Sequence, residues 1–114
     1  MQHQRAQQAA VDTVRPGVTA EAVDAAARDL IAASGFADNF VHRTGHGIGM
    51  EAHEDPYMVS GNKLPIAAGH AFSVEPGIYI PGKWGMRLED IVVATVNGPD
   101  SMNAANHNLI VVEA

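Results

Sequence analysis

Residues 42–56, HRTGHGIGMEAHEDP, place three histidines, three glycines and three carboxylates in fifteen consecutive positions. The 114 residues include no cysteine, which excludes disulfides, thiolate metal sites and a cysteine nucleophile. Any metal must therefore be held by imidazole nitrogen and carboxylate oxygen. His42, His46 and His53 offer the first kind of donor, and Glu75 in SVEPG and Glu89 in RLED offer the second. That mixture suits divalent ions of intermediate hardness: Mn²⁺, Co²⁺, Fe²⁺ or Zn²⁺. The spacing is not HExxH, so two histidines on one helical turn are not available. If residues 40–47 run extended, His42, Thr44 and His46 project to one side, and His53 reaches the same place from beyond the GIG bend. Gly45, Gly47 and Gly49 allow close backbone approach.

Glu75 ends an apolar run just before a Pro-Gly break, where an unpaired carboxylate is costly to bury. In MRLEDIVV, alternation puts Arg87, Glu89 and Ile91 on one face and Leu88 and Asp90 on the other. Arg87 then stands ready to clamp an anionic group of a substrate. Taken alone, an Arg–Glu pair would be an ordinary solvated surface feature, and only its combination with Glu75 and the histidines favours a site. GHGIG resembles half of a phosphate loop but lacks GxGxxG, a P-loop lysine and a following helix pattern. His3, His70 and His107 stand alone and read as structural or surface groups. Tyr79 and Trp84 read as core or rim residues, with Trp84 in a loop able to wall a substrate pocket. No serine has a GxSxG setting.

The elements that must position these groups fall into two halves. Ala6, Ala9, Ala10 and Val14 predict a helix over residues 2–14, with Arg15 in a basic last turn and Pro16-Gly17 as a stop. Thr19 caps a second helix with Glu21 in its first turn and Val23, Ala26, Ala27, Leu30 and Ile31 as its apolar stripe, ended by Ser34-Gly35. From residue 39 onward, short apolar runs broken by glycine and proline predict strands and turns. IYI and MRLEDIVVATV form a hairpin around the loop PGKWG, Asn97-Gly98-Pro99 turns the chain, and LIVV (109–112) is a last strand. Two helices followed by strands predict an α+β domain, residues 1–114, with helices on one face of a mainly antiparallel sheet.

The net charge of −6 and pI near 5.3 leave no basic run to neutralise phosphates, so neither nucleic acid nor an anionic membrane is expected as partner. No signal-peptide pattern or bilayer-length apolar run is present, and a cytoplasmic location is expected.

The runs FVHRTGHGIGMEAHEDP, FSVEPGIYIPG and MRLEDIVV, in that order and preceded by RPGVTAEAVDAAARDLI, resemble the C-terminal half of the pita-bread metallopeptidases. This is the group of Xaa-Pro dipeptidase (prolidase), Xaa-Pro aminopeptidase, methionine aminopeptidase and creatinase, and the resemblance is closer to the Xaa-Pro branch. It implies that His46, Glu75 and Glu89 are metal ligands, with Glu89 bridging two ions. It also implies that His53 contacts the scissile carbonyl, that His42 and Arg87 line the substrate side, and that Glu75 handles the proton as a hydroxide between two divalent ions attacks a Xaa-Pro bond. Mn²⁺ or Co²⁺ would be the expected ions, with Zn²⁺ or Fe²⁺ as alternatives. The family's two further aspartates come from an N-terminal half that these residues do not include. Asp12 and Asp24 lie on predicted helices and match no motif. The chain is therefore expected to be the second structural repeat of the fold, a fragment that binds metal weakly or not at all, is inactive alone, and self-associates as a homodimer. A metal-free binding module and a creatinase-like hydrolase are the alternatives, and the retained ligand set argues against both.

Overall fold

The computed structural model describes residues 2–113. Helix α1 (Gln2–Thr13) packs on helix α2 (Ala20–Ala33), and Ala6, Ala10 and Val14 are fully buried where the two meet the sheet. Arg15 lies beyond α1 rather than in its last turn, and its guanidinium donates to the Asp12 carbonyl at 3.1 Å. Thr19 caps α2 as its oxygen accepts from Ala22 N–H at 3.3 Å. The helix closes through paired bonds, Phe36 N–H to Ile31 O and Gly35 N–H to Ala32 O, with Gly35 at φ 88°. Only a residue without a Cβ takes that left-handed position cheaply.

Among the described residues, a 3-10 turn at Ala37–Asn39 is followed by seven strands: β1 (Gly45–Gly47), β2 (Glu54–Met58), β3 (Ala71–Val74), β4 (Gly77–Ile80), β5 (Trp84–Arg87), β6 (Asp90–Thr95) and β7 (Gly98–Ser101). Five of them form an antiparallel sheet in the order β2-β1-β3-β6-β7, and β4 and β5 form a separate two-stranded hairpin. The exposed turn at Ser60 and Gly61 leaves β2 and starts the connection to β3. Phe72, Val74, Met58, Val92 and Ile66 meet the helices in one core. This is the expected α+β architecture, two helices on an antiparallel sheet.

Four details differ from expectation. The run MRLEDIVVATV is two strands, because the chain passes from the hairpin to the main sheet at Leu88-Glu89. Trp84 and Gly85 belong to β5, paired with Ile80 and Tyr79, so the hairpin loop is shorter than PGKWG. The turn at Asn97-Gly98 is present, but it opens a strand that was not expected: Gly98, at φ 109°, folds the chain back as β7 along β6. LIVV forms no strand. Leu109, Ile110, Val111 and Val112 are exposed, because their composition favours a strand but no described strand lies beside them to share hydrogen bonds.

Candidate functional site

β1 is held deep in the sheet. A Cβ on Gly45 would overlap the Ser73 carbonyl of β3, and one on Gly47 would overlap the Asp55 carbonyl of β2. The glycines thus let His46 enter between two strands, and a register shift between His46 and Gly47 sets its direction. His46 N–H donates to Ser73 Oγ at 3.1 Å, and its Nδ1 lies 2.9 Å from the Gly47 carbonyl. A carbonyl only accepts, so Nδ1 carries a hydrogen and Nε2 is the nitrogen turned to the site. Nε2 lies 3.3 Å from Glu75 Oε2.

Glu75 follows directly on β3, and its N–H donates to the Thr44 carbonyl at 2.6 Å. Glu89 occupies the crossing between β5 and β6. Val74 pairs with Asp90, so Glu75 and Glu89 continue the antiparallel register side by side. One donor atom each from His46, Glu75 and Glu89 lies within 4.8 Å of the others. The Glu89 carboxyl is held above its ordinary range, first by partial desolvation and then by the charge of Glu75 and a hydrogen bond with it; Arg87 and His46 oppose the shift. Two carboxylates crowded beside one imidazole nitrogen form a mixed nitrogen and oxygen set that fits a divalent cation.

A cavity of about 490 Å³ opens in front, lined by His42, Arg43, His46, His53, Val59, Glu75 and Arg87. The His53 ring is exposed and lies against the His46 ring, with centroids 4.3 Å apart. His42 Nδ1 donates to the Arg43 carbonyl at 2.7 Å, which leaves Nε2 to accept from the Tyr79 hydroxyl at 2.9 Å. Arg87 lies at the exposed rim.

The sequence-nominated residues therefore converge, though not by the expected alternation. Residues 41–44 are irregular, and Thr44 turns inward while His42 and His46 face the cavity. The cause is Asp24 on α2. It is buried and accepts from Arg28 Nε and Nη2 at 2.9 and 3.0 Å and from the Thr44 N–H and hydroxyl at 3.1 and 2.8 Å. Arg28 in turn donates to the Phe40 and His42 carbonyls and lies 4.0 Å over the Phe40 ring. Sequence reasoning missed this brace, and it also missed Tyr79 and Arg43. The signal for the brace was an aspartate in the apolar stripe of α2 with an arginine four residues later. Arg43 carries its guanidinium 4.5 Å over the Tyr57 ring. Trp84, half exposed on β5, does not line the cavity. His70 accepts from Ala67 N–H; His3 and His107 make polar contacts away from the cavity.

The model of metallopeptidase family M24 matches residues 3–96. The chain belongs to metallopeptidase family M24. It is 62% identical over 109 residues to the probable dipeptidase PepE of Mycobacterium tuberculosis, a match covering 96% of this chain and 29% of that protein. It is 47% identical over 107 residues to the Xaa-Pro dipeptidase of Lactobacillus helveticus, covering 94% of this chain and 29% of the relative. The crystal structure of dipeptidase PepE from Mycobacterium ulcerans superposes with a TM-score of 0.94 at 65% identity, over 96% of this chain and 29% of that one. The M24 chain thus has a pita-bread fold in part, and spans less than a third of the length of these relatives.

Proposed function

We propose that this M24 chain supplies one side of a divalent-metal centre that hydrolyses Xaa-Pro peptide bonds, with His46, Glu75 and Glu89 as ligands. The observation that carries the reading is the fixed His46 ring, held through Nδ1–H by the Gly47 carbonyl so that Nε2 faces Glu75 with Glu89 alongside. Similarity to the Xaa-Pro dipeptidase of Lactobacillus helveticus supports the substrate class. A divalent ion held there would supply Lewis-acid polarisation of the scissile carbonyl and lower the pKa of an attacking water. Glu75 would accept a proton from the attacking water, and His53 would hydrogen-bond the oxygen of the reacting carbonyl. His42, oriented by Tyr79 and the Arg43 carbonyl, lines the substrate side, and Arg87 pairs with an anionic group such as the carboxylate of a proline-containing dipeptide.

Mn²⁺ or Co²⁺ suits the donor set best, with Zn²⁺ or Fe²⁺ as alternatives. Three ligands serve one ion; a second needs donors from outside these residues, in keeping with residues 1–114 being the second structural repeat of the fold. The acidic, cysteine-free composition supports a cytoplasmic site of action, with neither nucleic acid nor membrane as partner. Calorimetric titration is expected to show one Mn²⁺ or Co²⁺ bound weakly per chain and a loss of about ten-fold or more in His46→Ala, without turnover of a Xaa-Pro dipeptide by either. Equal binding by both would favour a metal-free binding module or a creatinase-like role.

Exposed Val41, Trp84 and the 109–112 run support self-association. Light scattering at tens of micromolar is expected to give the mass of a homodimer, and a monomer mass would remove that part of the proposal.

A further inference from the structure

α1 presents two polar groups where its apolar stripe should be continuous. His3 is 4% exposed and Gln7, one turn later, is 1% exposed. Packing does not call for either: an alanine or leucine would fill those positions without desolvating an amide or an imidazole. Each makes one long-range bond. His3 Nε2 donates to the carbonyl of Pro76, the residue after Glu75, and among the described residues its buried Nδ1 has no partner. Gln7 Nε2 donates at 3.0 Å to Oδ2 of Asp90, the residue after Glu89. Asp90 is itself 5% exposed, and its other oxygen faces His107 Nε2 at 3.2 Å.

Each of the two carboxylates is therefore followed by a residue tied to the same face of one helix, through the Pro76 carbonyl after Glu75 and through the Asp90 side chain after Glu89. A residue cannot swing without moving its neighbour's peptide, so these bonds restrict where the Glu75 and Glu89 Cα atoms lie. On the reading that His46, Glu75 and Glu89 hold a metal, we infer that His3 and Gln7 are positioning residues that set the separation of the two carboxylate ligands. Helix α1 acts as a rigid spacer: positions i and i+4 are neighbours on one helical face, and that fixed distance is passed through Pro76 and Asp90 to the ligand pair. A helix that served only to cover the sheet would have no use for either polar group.

Cobalt reports the difference, because its visible absorption depends on coordination geometry as well as on occupancy. The test titrates Co²⁺ into the full 114-residue chain and into Gln7→Met, which keeps length but has no donor, Gln7→Lys, which restores a donor, His3→Phe, His46→Ala and the exposed control Gln8→Met. Gln7→Met and His3→Phe are expected to weaken Co²⁺ binding about ten-fold and to change the shape of the visible band, with Gln7→Lys recovering both and Gln8→Met leaving both unchanged. Folded Gln7→Met and His3→Phe with wild-type affinity and band, alongside a His46→Ala that has lost binding, would overturn the positioning role and leave the metal centre standing. Binding by wild type no stronger than by His46→Ala would overturn both. A variant that does not fold is replaced by a measurement on wild type: in ¹⁵N spectra, Zn²⁺ is expected to shift the Gln7 side-chain amide and the His3 ring N–H more than the Gln8 amide, and equal shifts would overturn the role.

Discussion

Replacing Asp24 with alanine is expected to lower the melting temperature of the chain by roughly 10 °C or more. Asp24 is 1% exposed and collects four bonds, two from Arg28 and two from Thr44. Its loss leaves the Thr44 hydroxyl buried without its acceptor, the Thr44 N–H with the Met58 carbonyl alone, and the guanidinium without its counter-charge. Breaking a buried pair costs about 3–5 kcal/mol, and the lower end applies because the Arg28 side chain is 30% exposed and recovers some hydration. Against a total stability of roughly 5–15 kcal/mol, that is a large share. The damage also reaches the cavity, since Arg28 holds the Phe40 and His42 carbonyls and Thr44 holds Glu75 through its own carbonyl. Asp24→Asn keeps an acceptor for Thr44 and loses the charge, so it should fall between. Thermal unfolding followed by circular dichroism measures the series, and an alanine variant melting with the wild type would show that the brace does not carry the loop.

Glu89→Gln is expected to have opposite effects with and without metal. In the metal-free chain the folded-state pKa of Glu89 is raised by desolvation and by Glu75. The fold then binds the Glu89 proton more tightly than the unfolded chain does. Its favourable contribution is complete below the ordinary value of 4.5 and is lost as pH rises through the raised one. Glutamine carries no charge at any pH. In chelator, therefore, the variant should melt above wild type at pH 7, and the gap should close below pH 4.5. Saturating Mn²⁺ should reverse the order at pH 7, because a ligand that binds the folded state alone stabilises it in proportion to its affinity, and the variant has lost an anionic donor. The same ranking in chelator and in Mn²⁺ would argue that Glu89 does not meet the ion.

Helix positions were legible because their signals are local: apolar spacing, the Thr19 cap and Gly35 at the end all act within a few residues. The donors of the candidate site were legible for a different reason, since histidines and carboxylates between glycines have few structural uses. What stayed hidden depends on partners distant in sequence. Nothing in the alternation of MRLEDIVV marks the place where the chain leaves one sheet for another, and that crossing is where Glu89 sits. GPDS has little strand propensity, yet it pairs because β6 lies beside it, whereas LIVV has the propensity and lacks the neighbour. The roles of His3, Gln7 and Asp24 were hidden because their acceptors and donors lie 73, 83 and 20 residues away.

The order of strands has a consequence for proteolysis. The exposed connection at residues 60–65 separates β1 and β2 from β3. One cut at Lys63 leaves His46 on the first peptide and both carboxylates on the second, while β1 still hydrogen-bonds β3 across the break. An ion shared by the three donors then becomes a cross-link between two polypeptides. Nicked material should hold together to a higher denaturant concentration in metal than in chelator.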